Sequence, residues 1–176
     1  MKIKSSIYSS LFLLFIFCFI GCGASHSIVE KNASFDELDN SILVQNPNPN
    51  FPMPKIPSSI TTEKDRAIYL SKRYWEDFPF KDNSLIDKPE VTEQGFVDYI
   101  HILNYIPFKH ANRSIKYLFV KAQENRDMYS HLASLFEKYY YNNDSPFRNE
   151  ELYIPVLETI LRSNILSESE REKYAL

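Results

Sequence analysis

Cysteine, glycine and long apolar runs are all scarce in this chain, and each scarcity closes off a class of function. Only two cysteines occur in 176 residues. Cys18 sits inside an N-terminal apolar run and Cys22 just beyond it. Downstream of residue 22 there is no thiol for a disulfide, a C-x-x-C redox pair or a cysteine-ligated zinc site. Three glycines are present, and beyond Gly23 the next is Gly95 with none after it. Phosphate-cradling loops of the GxGxxG or GxxxxGK type are therefore excluded, and so little glycine suits helices better than a turn-rich β fold. Positive charge is not in excess: 20 Lys and Arg stand against 23 Asp and Glu, a net charge of −3. That balance argues against nucleic acid as a partner. The longest apolar run, Leu11–Ile20 (LFLLFIFCFI), covers ten residues, about half of the ~20 a membrane-spanning helix needs.

The same run, read with its flanks, is an address. Lys2 and Lys4 precede it, and Phe19-Ile20-Gly21-Cys22 follows. A positive start, a short apolar stretch and a small residue at the cleavage point describe a secretory signal. With cysteine next, the segment resembles the lipobox of bacterial lipoproteins. That resemblance implies cleavage before Cys22 and acylation of Cys22 with chains such as palmitate. One acyl chain holds a protein on a membrane only reversibly, whereas two or three hold it firmly. Gly23-Ala24-Ser25-His26-Ser27 offers no acidic residue after the cysteine. By resemblance to lipoprotein sorting, this implies the outer membrane, facing the periplasm. The expected organisation is a signal peptide over 1–21, a tether over 22–60 and a helical domain over 61–176. Removing the signal leaves 155 residues with 18 basic and 23 acidic side chains, enough for one domain with a real core.

The tether is expected from Asn46-Pro-Asn-Pro-Asn50 with Pro52, Pro54 and Pro57, because proline supplies no N–H and fixes φ. Beyond it, apolar spacing predicts five to six helices and no strands, an all-α bundle. The first runs from Thr61 or Thr62 to Phe78, capped by threonine, with Ala67, Leu70, Tyr74 and Phe78 on one face. The second spans about Glu90–Ile106, capped by Asp87 or Thr92. Within it, Gly95 costs ~1 kcal/mol relative to alanine and is expected to permit a close helix–helix approach. A third (Ala111–Asn125) and a fourth (Asp127–Tyr141) follow, with a break short enough for a helical hairpin. The fifth begins after Asn149, where Pro155 requires either a start near Ile154 or a kink. Ser167 is placed to cap a last short helix, Glu168–Tyr174.

Chemistry-bearing constellations are absent from the pattern. His101, His110 and His131 stand at no ligand spacing, and there is no HExxH. No metal, cofactor or catalytic set is therefore expected, and the chain is expected not to be an enzyme. Aromatic residues make up 15% of the chain. Trp75 is expected to anchor the core, and Tyr139-Tyr140-Tyr141 cannot all point inward from one helix. Trp75, Tyr140 and Tyr141 are the candidates for an aromatic binding surface. A shallow patch near Tyr140 would suit docking to another protein. A deep apolar groove would suit a small ligand or peptide.

Several stretches carry a resemblance: Tyr74-Trp75-Glu76-Asp77-Phe78, the FVDYI-x-x-L segment at Phe96–Leu103, and YYYNNDSPFRNEELYIPVL at Tyr139–Leu157. Over Thr61–Leu176 the chain resembles a helical domain of unknown function found in Bacteroidetes lipoproteins, usually preceding a thioredoxin-like domain. The resemblance implies a membrane-tethered helical module associated with a thioredoxin-like thiol–disulfide protein. It supplies no catalytic residue, because the family's C-x-x-C pair has no counterpart here. Arg171-Glu-Lys-Tyr-Ala-Leu176 lacks a C-cap signal and reads as a helix interrupted in mid-course, and the thioredoxin-like partner is expected either in a longer form of this chain or in another protein.

Overall fold

The computed structural model describes residues 50–175. The expected signal peptide, Cys22 and the expected tether up to residue 49 lie outside the described residues. Within them are six α-helices and no strand: α1 (Glu63–Arg73), α2 (Thr92–Tyr105), α3 (Phe108–Ala122), α4 (Arg126–Phe136), α5 (Glu150–Arg162) and α6 (Glu168–Glu172). A 3-10 turn at Asn83–Leu85 and a π-turn at Glu137–Tyr141 complete the order. No helix among the described residues is long and apolar enough to cross a membrane.

Local chemistry sets most helix starts. Thr62 accepts a hydrogen bond from the Asp65 amide at 3.2 Å, with Glu63 and Asp65 at the positive end of the α1 dipole. Asn125 caps α4 through the amides of Asp127 and Met128, and Asn149 caps α5 through that of Leu152 at 3.0 Å. Ser167 and Glu170 form a reciprocal capping box on α6. Hydrogen bonds from Ser167, then Arg126, hold the Glu170 carboxyl down at about 2. Pro155 sits inside a continuous α5. The helix neither starts late nor stops at it, and the Thr159 hydroxyl donates to the Pro155 carbonyl at 2.7 Å.

Other boundaries differ from expectation for physical reasons. α1 ends at Arg73, before Phe78, because Tyr74, Trp75 and Phe78 all turn into the core. α2 has no side-chain cap: Thr92 instead donates to the Leu85 carbonyl at 2.8 Å, binding the preceding loop. Pro107 does not merely end α2. It is the N-cap of α3, whose first residue, Phe108, lies three before the expected start, in keeping with proline's preference for helix beginnings.

While α6 buries no residue, α1 to α5 share one core. Its densest part is an aromatic cluster in which Trp75 meets Phe78 edge-on at 5.0 Å and Tyr99 at 5.6 Å. Phe51 lies inside this cluster, 5% exposed and 4.9 Å from the Tyr74 ring. The packed body therefore reaches N-terminally past Thr61, into residues read from sequence as tether. Gly95 explains how: a Cβ there would lie 2.4 Å from the Phe51 ring. The glycine admits an aromatic ring rather than a neighbouring helix. Burying each such side chain contributes roughly 1.5–3 kcal/mol. A buried polar chain crosses the core, with the Tyr99 hydroxyl 2.7 Å from Ser114 Oγ, which donates to the Ser71 carbonyl at 2.5 Å. It ties α2, α3 and α1 together.

Candidate functional site

The π-turn after α4 decides where the three consecutive tyrosines go. The Asn142 amide donates to the Glu137 carbonyl at 3.1 Å, one residue farther back than in an α-helix. π-turns inside helices are frequent at functional sites. The Tyr139 hydroxyl donates to Glu93 Oε1 at 2.6 Å. Tyr140 is fully buried beside Phe136. Tyr141 is 40% exposed and stacks on Tyr153 at 5.3 Å.

Of the three aromatic candidates, Tyr141 alone offers a surface. Trp75 is 1% exposed and Tyr140 0%, so neither has area to give a partner. Burial drives the Tyr140 hydroxyl well above its ordinary pKa, which keeps it neutral. Both are core residues, Trp75 as the expected anchor, and the structure does not bring the three together on one surface.

Around Tyr141 lies an open hollow of about 450 Å³ lined by Ser134, Glu137, Lys138, Tyr141 and Asn142. A second, of about 430 Å³, lies between the start of α1 and the α2–α3 junction, where Tyr105 and Pro107 contribute. Both are shallow surface features with mixed polar linings, unlike the enclosed apolar pockets that take small ligands.

Beside the Tyr141 hollow, the Glu93 carboxylate receives both Lys138 and the Tyr139 hydroxyl. These two donors hold the Glu93 carboxyl below the usual range. Burial, then Glu93, pushes Tyr139 up to about 12. His131 adjoins this group: its Nε2 is buried with no hydrogen-bond partner, and burial lowers its pKa. His101 packs on Phe147 with ring centroids 4.6 Å apart. Among the described residues, no three His, Cys, Asp or Glu side chains gather as metal ligands do. The cluster is one carboxylate neutralised by one cation, an arrangement that positions the π-turn against α2. Sequence reasoning passed over it because its partners are 45 and 46 residues apart and no spacing announces such a pair.

A family model described as a domain of unknown function (DUF5106) matches residues 22–176. Among solved structures, that of a thioredoxin-like protein from Bacteroides caccae is similar, with a TM-score of 0.68 and 38% sequence identity. The match covers 72% of this chain and 46% of that one, so this chain spans less than half of that protein's length. No curated protein matches the chain. The resemblance carried by Tyr74–Phe78 and Tyr139–Leu157 is thereby borne out, together with its link to a thioredoxin-like protein.

Proposed function

Because the chain belongs to the family of the domain of unknown function DUF5106, we propose that it is a non-catalytic docking module. It serves a thioredoxin-like thiol–disulfide protein and is held at the cell envelope by lipid on Cys22. The observation that carries this reading is the partial overlap with the Bacteroides caccae protein. The shared 46% of that chain corresponds here to a segment whose described part holds helices and no strand. Thioredoxin-like chemistry uses C-x-x-C beside a strand–helix unit, and this sequence has neither the cysteine pair nor, among the described residues, a strand. The thiol chemistry is then supplied outside these residues, by a longer form of this chain or by another protein, and this module positions it. The shallow hollow around the exposed Tyr141 suits a docking contact better than an enclosed ligand site.

The test is a titration of this chain, carrying Cys22→Ser to keep it soluble, against the part of the Bacteroides caccae protein outside the match. Saturable binding weakened at least tenfold by Tyr141→Ala is the expected result. Absence of binding, or disulfide reductase activity in this chain alone, overturns the reading. Lipidation is checked separately: labelled palmitate enters the wild-type chain in its native host, and Cys22→Ala abolishes both labelling and membrane fractionation.

A further inference from the structure

Helices α3 and α5 lie side by side and run in the same direction. The α5 cap Asn149 donates to Asn104 at 3.1 Å, just before α3 begins. Further along both helices, Lys116 reaches Glu158 at 3.9 Å. Their solvent faces are charged oppositely. Along α3 the outward stripe is Lys109, Arg113, Lys116 and Val120, and this helix carries no carboxylate. Along α5 it is Glu151, Ile154, Glu158 and Leu161. Among the described residues, three of the six exposed large hydrophobic side chains fall here: Val120 at 60%, Ile154 at 56% and Leu161 at 42%. Lys109, Arg113 and Glu151 make no ion pair with the described residues.

A basic stripe beside a parallel acidic stripe is self-complementary under one operation. A two-fold axis parallel to the helices, lying in the surface between them, sets α3 of one copy opposite α5 of the other at the same height. Lys109 lies seven residues before Lys116, and Glu151 lies seven before Glu158. Lys109 of each copy therefore faces Glu151 of the other, with the apolar side chains between the charged rows. A two-fold perpendicular to the helices would set like charges together and is disfavoured. We propose that the α3–α5 face is a homodimer interface between two copies of this chain.

Two helices of about 20 Å by about 20 Å of width cover less area than a standard interface, which buries ~1,600 Å² in total. The dimer is accordingly expected to be weak in solution. Confinement of both copies to one surface would raise their effective concentration.

The experiment is sedimentation velocity on the full chain in non-ionic detergent, from micromolar to submillimolar protein. A reversible dimer that weakens with added salt is expected. Lys109→Glu alone and Glu151→Lys alone each weaken it at least tenfold. The double variant, or an equimolar mixture of the two single variants, restores dimerisation, because every opposed pair is again of opposite sign. Both sites are exposed, and unchanged far-ultraviolet circular dichroism verifies that the variants fold. A monomer at every concentration overturns the proposal. So does a dimer indifferent to both substitutions. Loss of thioredoxin-like partner binding in Lys109→Glu, with the wild type monomeric throughout, would assign the face to that partner instead.

Discussion

The two conspicuous aromatic stretches, Tyr74-Trp75 and Tyr139-Tyr140-Tyr141, look alike in sequence and end in opposite circumstances. The first follows α1 where the backbone turns inward, and both its rings are buried with Phe51, Phe78 and Tyr99 around them. The second is distributed by a π-turn: one ring bonds to a carboxylate, one fills the core and one faces solvent. Aromatic content alone does not separate core from surface. The winding of the few residues around each ring does.

The largest effect is expected where the comparison is sharpest. Trp75→Ala should cost roughly 3–5 kcal/mol, measured by urea unfolding, because it empties the centre of the aromatic cluster. Gly95→Ala should cost about 1–3 kcal/mol, since its Cβ would meet the Phe51 ring at 2.4 Å. Made in a Phe51→Ala background, the same change should cost much less, and a double-mutant cycle reads the difference. Equal cost in both backgrounds would remove Phe51 from the cluster.

At the second stretch, Tyr139→Phe should cost about 1 kcal/mol through loss of the bond to Glu93. The Glu93 contribution also has a pH signature. Its folded pKa lies below the ordinary 4.5, so its stabilisation is complete above that value and is lost as pH falls through the folded pKa. Thermal melts of Glu93→Gln should therefore show a flatter acid limb below about pH 4.5 than wild type. The smallest effect on stability belongs to Tyr141→Ala, within about 0.5 kcal/mol, although that variant is expected to lose partner binding. A Tyr141→Ala protein as unstable as Trp75→Ala would dissolve the distinction between the two stretches.

The fold class was legible because periodic apolar positions and capping residues are local signals. Asn149 and Ser167, and the choice of Thr61 or Thr62, are legible as caps from the side chain and its following carboxylates alone. What escaped depends on contacts distant in sequence. Nothing near Phe51, set among prolines, indicates that Gly95 leaves a space for its ring 44 positions later. The π-turn has no signature of its own: Glu137–Tyr141 reads as a continuation of α4 until the packing of Tyr140 and the pull of Glu93 on Tyr139 select the wider winding. Trp75, anticipated as a core anchor, was legible as such, whereas Tyr140 and Tyr141 were separable only by that turn.

Phe51 also has a mechanical meaning. A load applied to the chain before Asn50 is met first by an aromatic ring wedged across a glycine, not by the hydrogen-bond ladder of α1. Withdrawing that ring, together with Met53 and Ile56 that pack against the same core, would free the segment from Phe51 to the Thr62 cap, at most about 40 Å of extended chain. Gly95 and Phe51 thus form a catch that holds the first described residues against the helices.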